Sequence, residues 1–147
     1  MNDNLNFYKW FETIASKLGD REISFRKIFK YLDGLPTPII IVETGCLRVQ
    51  GDFLDGQSTL LFDKYTLSRG NKSKVYIVDI NPNATKVCKE TVSNNVEITT
   101  ENSVRYLNNL YQILYRLYFP KLQIQTILNL IVLIHSNLKN DLQYILS

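Results

Sequence analysis

Residues 39–59 read IIIVETGCLRVQGDFLDGQST, and this stretch decides the fold. Its first four residues, Ile39, Ile40, Ile41 and Val42, are all β-branched, and such side chains are stiff at the first torsion and favour strands. No polar residue alternates with them, so both faces of the strand are expected to be covered, as in a parallel sheet. The run ends in Glu43, passes Gly45, makes a loop and reaches Gly56, Gln57, Ser58 and Thr59, where a helix opens. Strand, glycine-bearing loop and helix in that order form the first unit of an open α/β fold with its crevice at the carboxyl ends of the strands.

Working downstream, the spacing predicts a helix over residues 56–69, with Leu61, Phe62 and Tyr65 facing inward and Gly70 at its C-cap. Residues 75–78 form a second buried strand ending at Asp79. Asn81-Pro82 starts the next helix, with Asn as N-cap and Pro in the first helical position; Ala84, Val87, Cys88 and Val92 supply its buried stripe. Val96, Ile98 and Thr100 alternate as a third strand, and Asn102 caps a further helix carried by Val104, Leu107, Leu110 and Leu114. Three such units in series predict an α/β fold: a Rossmann-like open, mostly parallel sheet with helices on both faces and right-handed crossovers.

Upstream, two helices precede the sheet. Residues 5–18 carry Phe7, Trp10, Phe11, Ile14, Ala15 and Leu18 at helical spacing. A second helix follows Asp20, read as its cap, with Phe25, Ile28, Phe29 and Leu32 on one side. Asp33-Gly34 ends it, and Pro36 and Pro38 bar its resumption. The pair is expected to flank the sheet or cover it as a lid. Past residue 112 the character changes: the last 36 residues hold one acid, Asp141. Residues 122–135 read equally as buried helix or strand, and 138–146 as a short helix. The sheet is therefore expected to be incomplete at its C-terminal side, through truncation or a shift of reading frame near residues 109–112. The expected organisation is a single domain over 1–147: a helical flank at 1–35, an α/β core at 38–112 and an atypical segment at 113–147.

The chain has 147 residues, 45% hydrophobic and 21% charged, enough for one domain with a real core. A net charge of +3 gives no reason to invoke nucleic acid. Cys46 and Cys88 are too few for a disulfide framework and lack metal-ligand spacing; free thiols suit a cytoplasmic protein. No secretory leader is read in the first residues, and the most apolar run, at 130–134, is far short of the roughly 20 residues a membrane span needs.

The strand ends gather the chemistry. Glu43 can attract an ammonium group, Gly45 lets backbone approach a ligand closely, and the helix opening at Gly56 offers amides and a dipole suited to a carboxylate or phosphate. Asp79 stands where a carboxylate can accept from both hydroxyls of a ribose, and Asn102 with Ser103 where an adenine edge can be met. Amine, carboxylate, ribose and adenine on one ligand describe S-adenosylmethionine. Residues 51–58 (GDFLDGQS) copy the spacing of a P-loop but place Gln57 where the lysine belongs, and Asp52 and Asp55 would repel phosphate. The fingerprint G-x-G-x-x-G is absent, which disfavours a nicotinamide cofactor.

With VETGCLR, DGQST, YIVDINP and ENSVRYL, residues 38–110 resemble the class I S-adenosylmethionine-dependent methyltransferases, with a longer loop between Gly45 and Gly56 than the family's E-x-G-x-x-x-G-x-S-T spacing. The resemblance implies that Glu43 and Gly45 hold the methionine end, Ser58 its carboxylate, Asp79 the ribose, and Asn102 with Ser103 the adenine; Thr44, Cys46, Gly56, Thr59 and Ile80 complete the expected cofactor-binding set. Asn102 stands where relatives usually have Asp. The acid-free interval 102–140 gives no support to a divalent-metal site, and the single histidine, His135, is a poor candidate for the base. Methyl transfer to a small-molecule acceptor is thus the leading expectation. Its rivals are a non-catalytic methyltransferase fragment that at most binds the cofactor, and an α/β interaction module; an open sheet edge or the apolar C-terminus would permit homo-oligomers.

Overall fold

The computed structural model describes residues 3–53, 56–70, 72–118 and 130–134. Two N-terminal helices, α1 (Asp3–Ile14) and α2 (Arg21–Asp33), are joined by a short 3-10 turn at Ala15–Leu18. There follow β1 (Ile40–Thr44), α3 (Ser58–Ser68), β2 (Lys74–Asp79), α4 (Pro82–Thr91), β3 (Val96–Thr100), α5 (Ser103–Tyr118) and β4 (Leu130–Ile134). The strands form one sheet in the order β3-β2-β1-β4, and every pairing is parallel.

This order follows from the crossovers. From β1 the chain steps outward through α3 to β2 and through α4 to β3, then returns through α5 to lay β4 along the free side of β1. With right-handed crossovers, α3 and α4 take one face and α5 the other. Ile41, Val75 and Ile77 pack with Leu61, Phe62 and Tyr65 of α3 in one core cluster. Across the sheet, Tyr106 of α5 meets Tyr76, Glu97 and Thr99. Reversal of strand order between β1 and β4 creates the switch point at which such sheets bind ligands.

Within the 122–135 segment, whose residues 122–129 and 135 lie outside the described residues, β4 decides the reading for 130–134. Leu130–Ile134 is strand, registered from Ile40↔Leu130 to Thr44↔Ile134. A continuous apolar run of five satisfies helix and strand alike, and the hydrogen-bonding edge that β1 offers decides for strand. The expectation for 138–146, and His135 itself, lie outside the described residues.

The N-terminal helices are a flank built on aromatic rings. Phe29, fully buried, meets Phe7, Phe11, Phe25, Phe62 and Tyr65 at centroid distances of 4.8 to 6.2 Å. A polar clamp secures the packing: Asp33 of α2 accepts from the hydroxyl of Tyr8 on α1 and, at 2.9 Å, from that of Tyr65 on α3. Three local expectations need correction. Asp20 has helical torsions and makes no side-chain cap bond; instead the turn is closed by Glu22 N–H donating to Gly19 O. Val104 is 66% exposed, because the inward side of α5 runs through the half-buried Tyr106, Leu107 and Leu110 instead. Arg69, not Gly70, is the C-cap of α3, although Gly70 takes the positive φ of the next position. The Asn81 cap is as expected, its side chain accepting from Asn83 N and Ala84 N.

Candidate functional site

The three strand-to-helix junctions meet at one rim, and backbone hydrogen bonds hold them there. Gly45 N–H donates to Val78 O at 2.8 Å, joining the loop after β1 to the end of β2. Glu101 N–H donates to Asp79 O at 3.1 Å, joining the end of β3 to the same place. Gly45 has φ +82°, a conformation that costs other L-residues strain. Gly56, at φ +67°, lies so close to the same loop that a Cβ would meet the Leu47 Cα at 3.4 Å. Both glycines are needed for the loop to fold back over the start of α3.

Asp79 is 8% exposed. Its Oδ2 accepts from Cys46 N–H at 3.0 Å and its Oδ1 from Asn81 N–H at 2.8 Å. Each carboxylate oxygen has a second lone-pair direction, so this tether leaves acceptor capacity. Ile80 follows it at 70% exposure, an apolar side chain standing open at the rim. Asn102 caps α5, its Oδ1 accepting from Val104 N at 3.0 Å and Arg105 N at 3.2 Å. With the oxygen committed, Nδ2 is the group Asn102 has to offer a ligand. Ser103 is the first residue of α5.

Glu43 is turned under the loop. Side chains alternate along a strand, so Glu43 shares the face of Ile41 and meets the first turn of α3. It is 2% exposed; its oxygens accept from the hydroxyls of Ser58 and, at 2.7 Å, Thr59. The Thr59 hydroxyl in turn accepts from Leu47 N–H at 3.3 Å. Burial drives the carboxyl upward, the two hydroxyls oppose it and nearby Asp79 adds to it, leaving Glu43 at about 7. The hydroxyl proton of Ser58 is thereby spent on Glu43, and the backbone N–H groups of the first turn of α3 are what remain for a ligand carboxylate.

The Cys46 thiol is held well above its ordinary value, by its hydrogen bond to Cys88 first and by burial second. A thiol so placed stays protonated and makes a poor nucleophile. Thr44 is also buried, at 7% exposure. Among the described residues no group of three or more His, Cys, Asp or Glu side chains could hold a metal ion.

Two features go beyond what the sequence pattern conveys. The helical flank grips the loop: the Arg21 guanidinium donates to Phe53 O, and the Lys17 ammonium lies 5.5 Å over the Phe53 ring. Phe53, a single aromatic in the loop, is the available signal. Gln57, which in the sequence only spoils a P-loop, is completely buried, its Nε2 donating to Val49 O at 2.8 Å. Away from the rim, a groove of about 380 Å³ runs between α1 and α3, lined by Asn6, Phe7, Trp10, Lys64 and Ser68.

No protein-family model matches the chain, and neither a curated protein nor a solved structure matches it. By its fold the chain is an α/β module with a parallel sheet flanked by helices on both sides, in an open Rossmann-like arrangement. Such a module is compatible with nucleotide or cofactor binding. Among the described residues no helix is long and apolar enough to cross a membrane.

Proposed function

We propose that the protein binds S-adenosylmethionine at this rim and belongs to the methyltransferases that use it, acting on a small-molecule acceptor. The observation that carries the reading is the tether between Asp79 and Cys46 N–H, because it sets the β2 acid against the glycine loop of β1. One ligand can then lie across both. In this reading Gly45 and Cys46 bring backbone to the methionine end, with Glu43 and Thr44 beneath them. The start of α3, at Gly56, Ser58 and Thr59, receives the carboxylate through its amides. Asp79 accepts from the ribose, Ile80 covers the nucleoside, and Asn102 with Ser103 meets the adenine. The sulfonium makes the methyl electrophilic, so the protein's task is to hold an acceptor in line with it.

The enclosure of the Glu43 carboxyl by Ser58 and Thr59 favours one alternative: a binding module that retains the cofactor crevice without turning over. Titration calorimetry with S-adenosylmethionine and S-adenosylhomocysteine, followed by a methyl-transfer assay over a panel of catechols, phenols and amines, separates the two. Binding with transfer supports the enzyme, and binding without transfer supports the module. No heat with either compound overturns both. A cytoplasmic location and self-association through a sheet edge belong to the same proposal, the latter tested by the concentration dependence of sedimentation.

A further inference from the structure

Asn6 and Trp10 stand four residues apart on α1, as do Lys64 and Ser68 on α3, and residues so spaced share one face of a helix. The two faces meet across the groove of about 380 Å³, which Phe7 also lines. Lys64 and Ser68 lie six and ten residues beyond Ser58, which is roughly 9 to 15 Å along the axis from the rim. The groove is therefore a second place on the molecule, and its chemistry does not rest on the cofactor reading. Its apolar surface is aromatic. Phe7 belongs to the buried core and the half-buried Trp10 packs against it, their rings 6.0 Å apart and tilted at 46°. Phe29 and Tyr65 hold Phe7 edge-on at 4.8 and 5.1 Å, so this wall is fixed before any ligand arrives. Ser68 already donates its hydroxyl proton to Tyr65 O at 2.6 Å, which leaves the Lys64 ammonium and the Asn6 amide as the groove's outward donors. No acidic side chain is among the lining residues, and among the described residues none forms an ion pair with Lys64.

We propose that the groove between α1 and α3 binds a small aromatic carboxylate, its ring on Phe7 and Trp10, its carboxylate on the Lys64 ammonium, and the Asn6 amide as second donor. Aromatic walls with one cation and no acid complement a flat apolar body that carries a single negative charge. A phosphate monoester, at about two charges, would be only half neutralised here. The volume falls within the roughly 300 to 1,000 Å³ of small-molecule sites. A stable protein interface, by contrast, draws on roughly 20 to 30 residues a side, far more than line this groove.

The test uses the full chain with 3-phenylpropionate as probe, 3-phenylpropionamide as the same shape without charge, and 3-cyclohexylpropionate as the same charge without the aromatic ring. Trp10 is the only tryptophan, so its fluorescence reads occupancy of the groove directly. A saturable change in its emission is expected with 3-phenylpropionate, which should bind about threefold to tenfold more tightly than the amide and more tightly than the cyclohexyl acid. Lys64 is exposed, so Lys64→Met leaves the core untouched; it should bring the ratio of acid to amide affinity close to one while the amide binds as before. Lys64→Arg should keep the preference for the acid. The inference is overturned by the absence of a saturable change with 3-phenylpropionate, by equal affinities for acid and amide or for the phenyl and cyclohexyl acids in wild type, or by an unchanged ratio in Lys64→Met.

Discussion

Replacing Glu43 by Gln should change how stability depends on pH more than it changes stability at any one pH. Glu43 is buried beside Asp79, and burial holds it near 7 against an ordinary value of 4.5. Between those values the native state keeps a proton that the unfolded chain releases. Stability therefore falls as pH rises from about 4.5 through about 7, by at most about 1.4 kcal/mol per pH unit, and is level above that. From pH 5 to pH 8 the loss through this one group is about 2 to 3 kcal/mol. The amide of the Glu43→Gln variant carries no such proton. Its NH2 group, however, faces hydroxyls that now donate, which costs about 1 kcal/mol of hydrogen bonding. The two curves should cross: the variant is the less stable at pH 5 and the more stable at pH 8. Urea unfolding followed through the fluorescence of Trp10, the only tryptophan, measures both proteins at both pH values. Carboxyls that do not interact with Glu43 contribute equally and cancel in the difference. Parallel pH profiles, agreeing within about 0.5 kcal/mol, would refute the claim that Glu43 is held protonated by burial.

Three more outcomes can be checked by the same unfolding measurement. Asp63, 2% exposed, accepts from Ser93 N–H at 2.9 Å and from the Ser93 hydroxyl at 2.6 Å; Asp63→Ala should cost about 2 to 3 kcal/mol by stranding that N–H. Phe29→Ala removes the ring at the centre of the aromatic flank and should cost about 3 to 5 kcal/mol. Gly56→Ala puts a Cβ on a residue at φ +67° against the Leu47 backbone. It should cost about 1 to 2 kcal/mol and, if the loop shapes the ligand crevice, weaken binding of S-adenosylhomocysteine; full affinity would separate the loop from the site.

Much of the architecture was legible because its signals are local. The β-branched run at residues 39–42 and the Asn81-Pro82 cap each state their structure within a few residues, and the structure agrees. Other features were not legible, because they depend on partners distant in sequence. Asp20 looks like a cap, yet its backbone is helical and Gly19 closes the turn. Glu43 could be placed at a strand end, but its enclosure under the loop depends on Ser58 and Thr59, fifteen and sixteen residues on.

The sequence by itself determined the α/β class and the succession of three strand-to-helix units, since side-chain periodicity and capping chemistry are properties of short stretches. It also put the acids and glycines at strand ends, where a parallel sheet opens. Only the tertiary structure decided that residues 130–134 are a strand, because an unbroken apolar run takes whichever backbone partner it meets, and the free edge of β1 is that partner. Likewise only tertiary packing left Gln57 Oε1 buried without a donor and lifted the Glu43 carboxyl, since desolvation is set by what the rest of the chain lays over a residue.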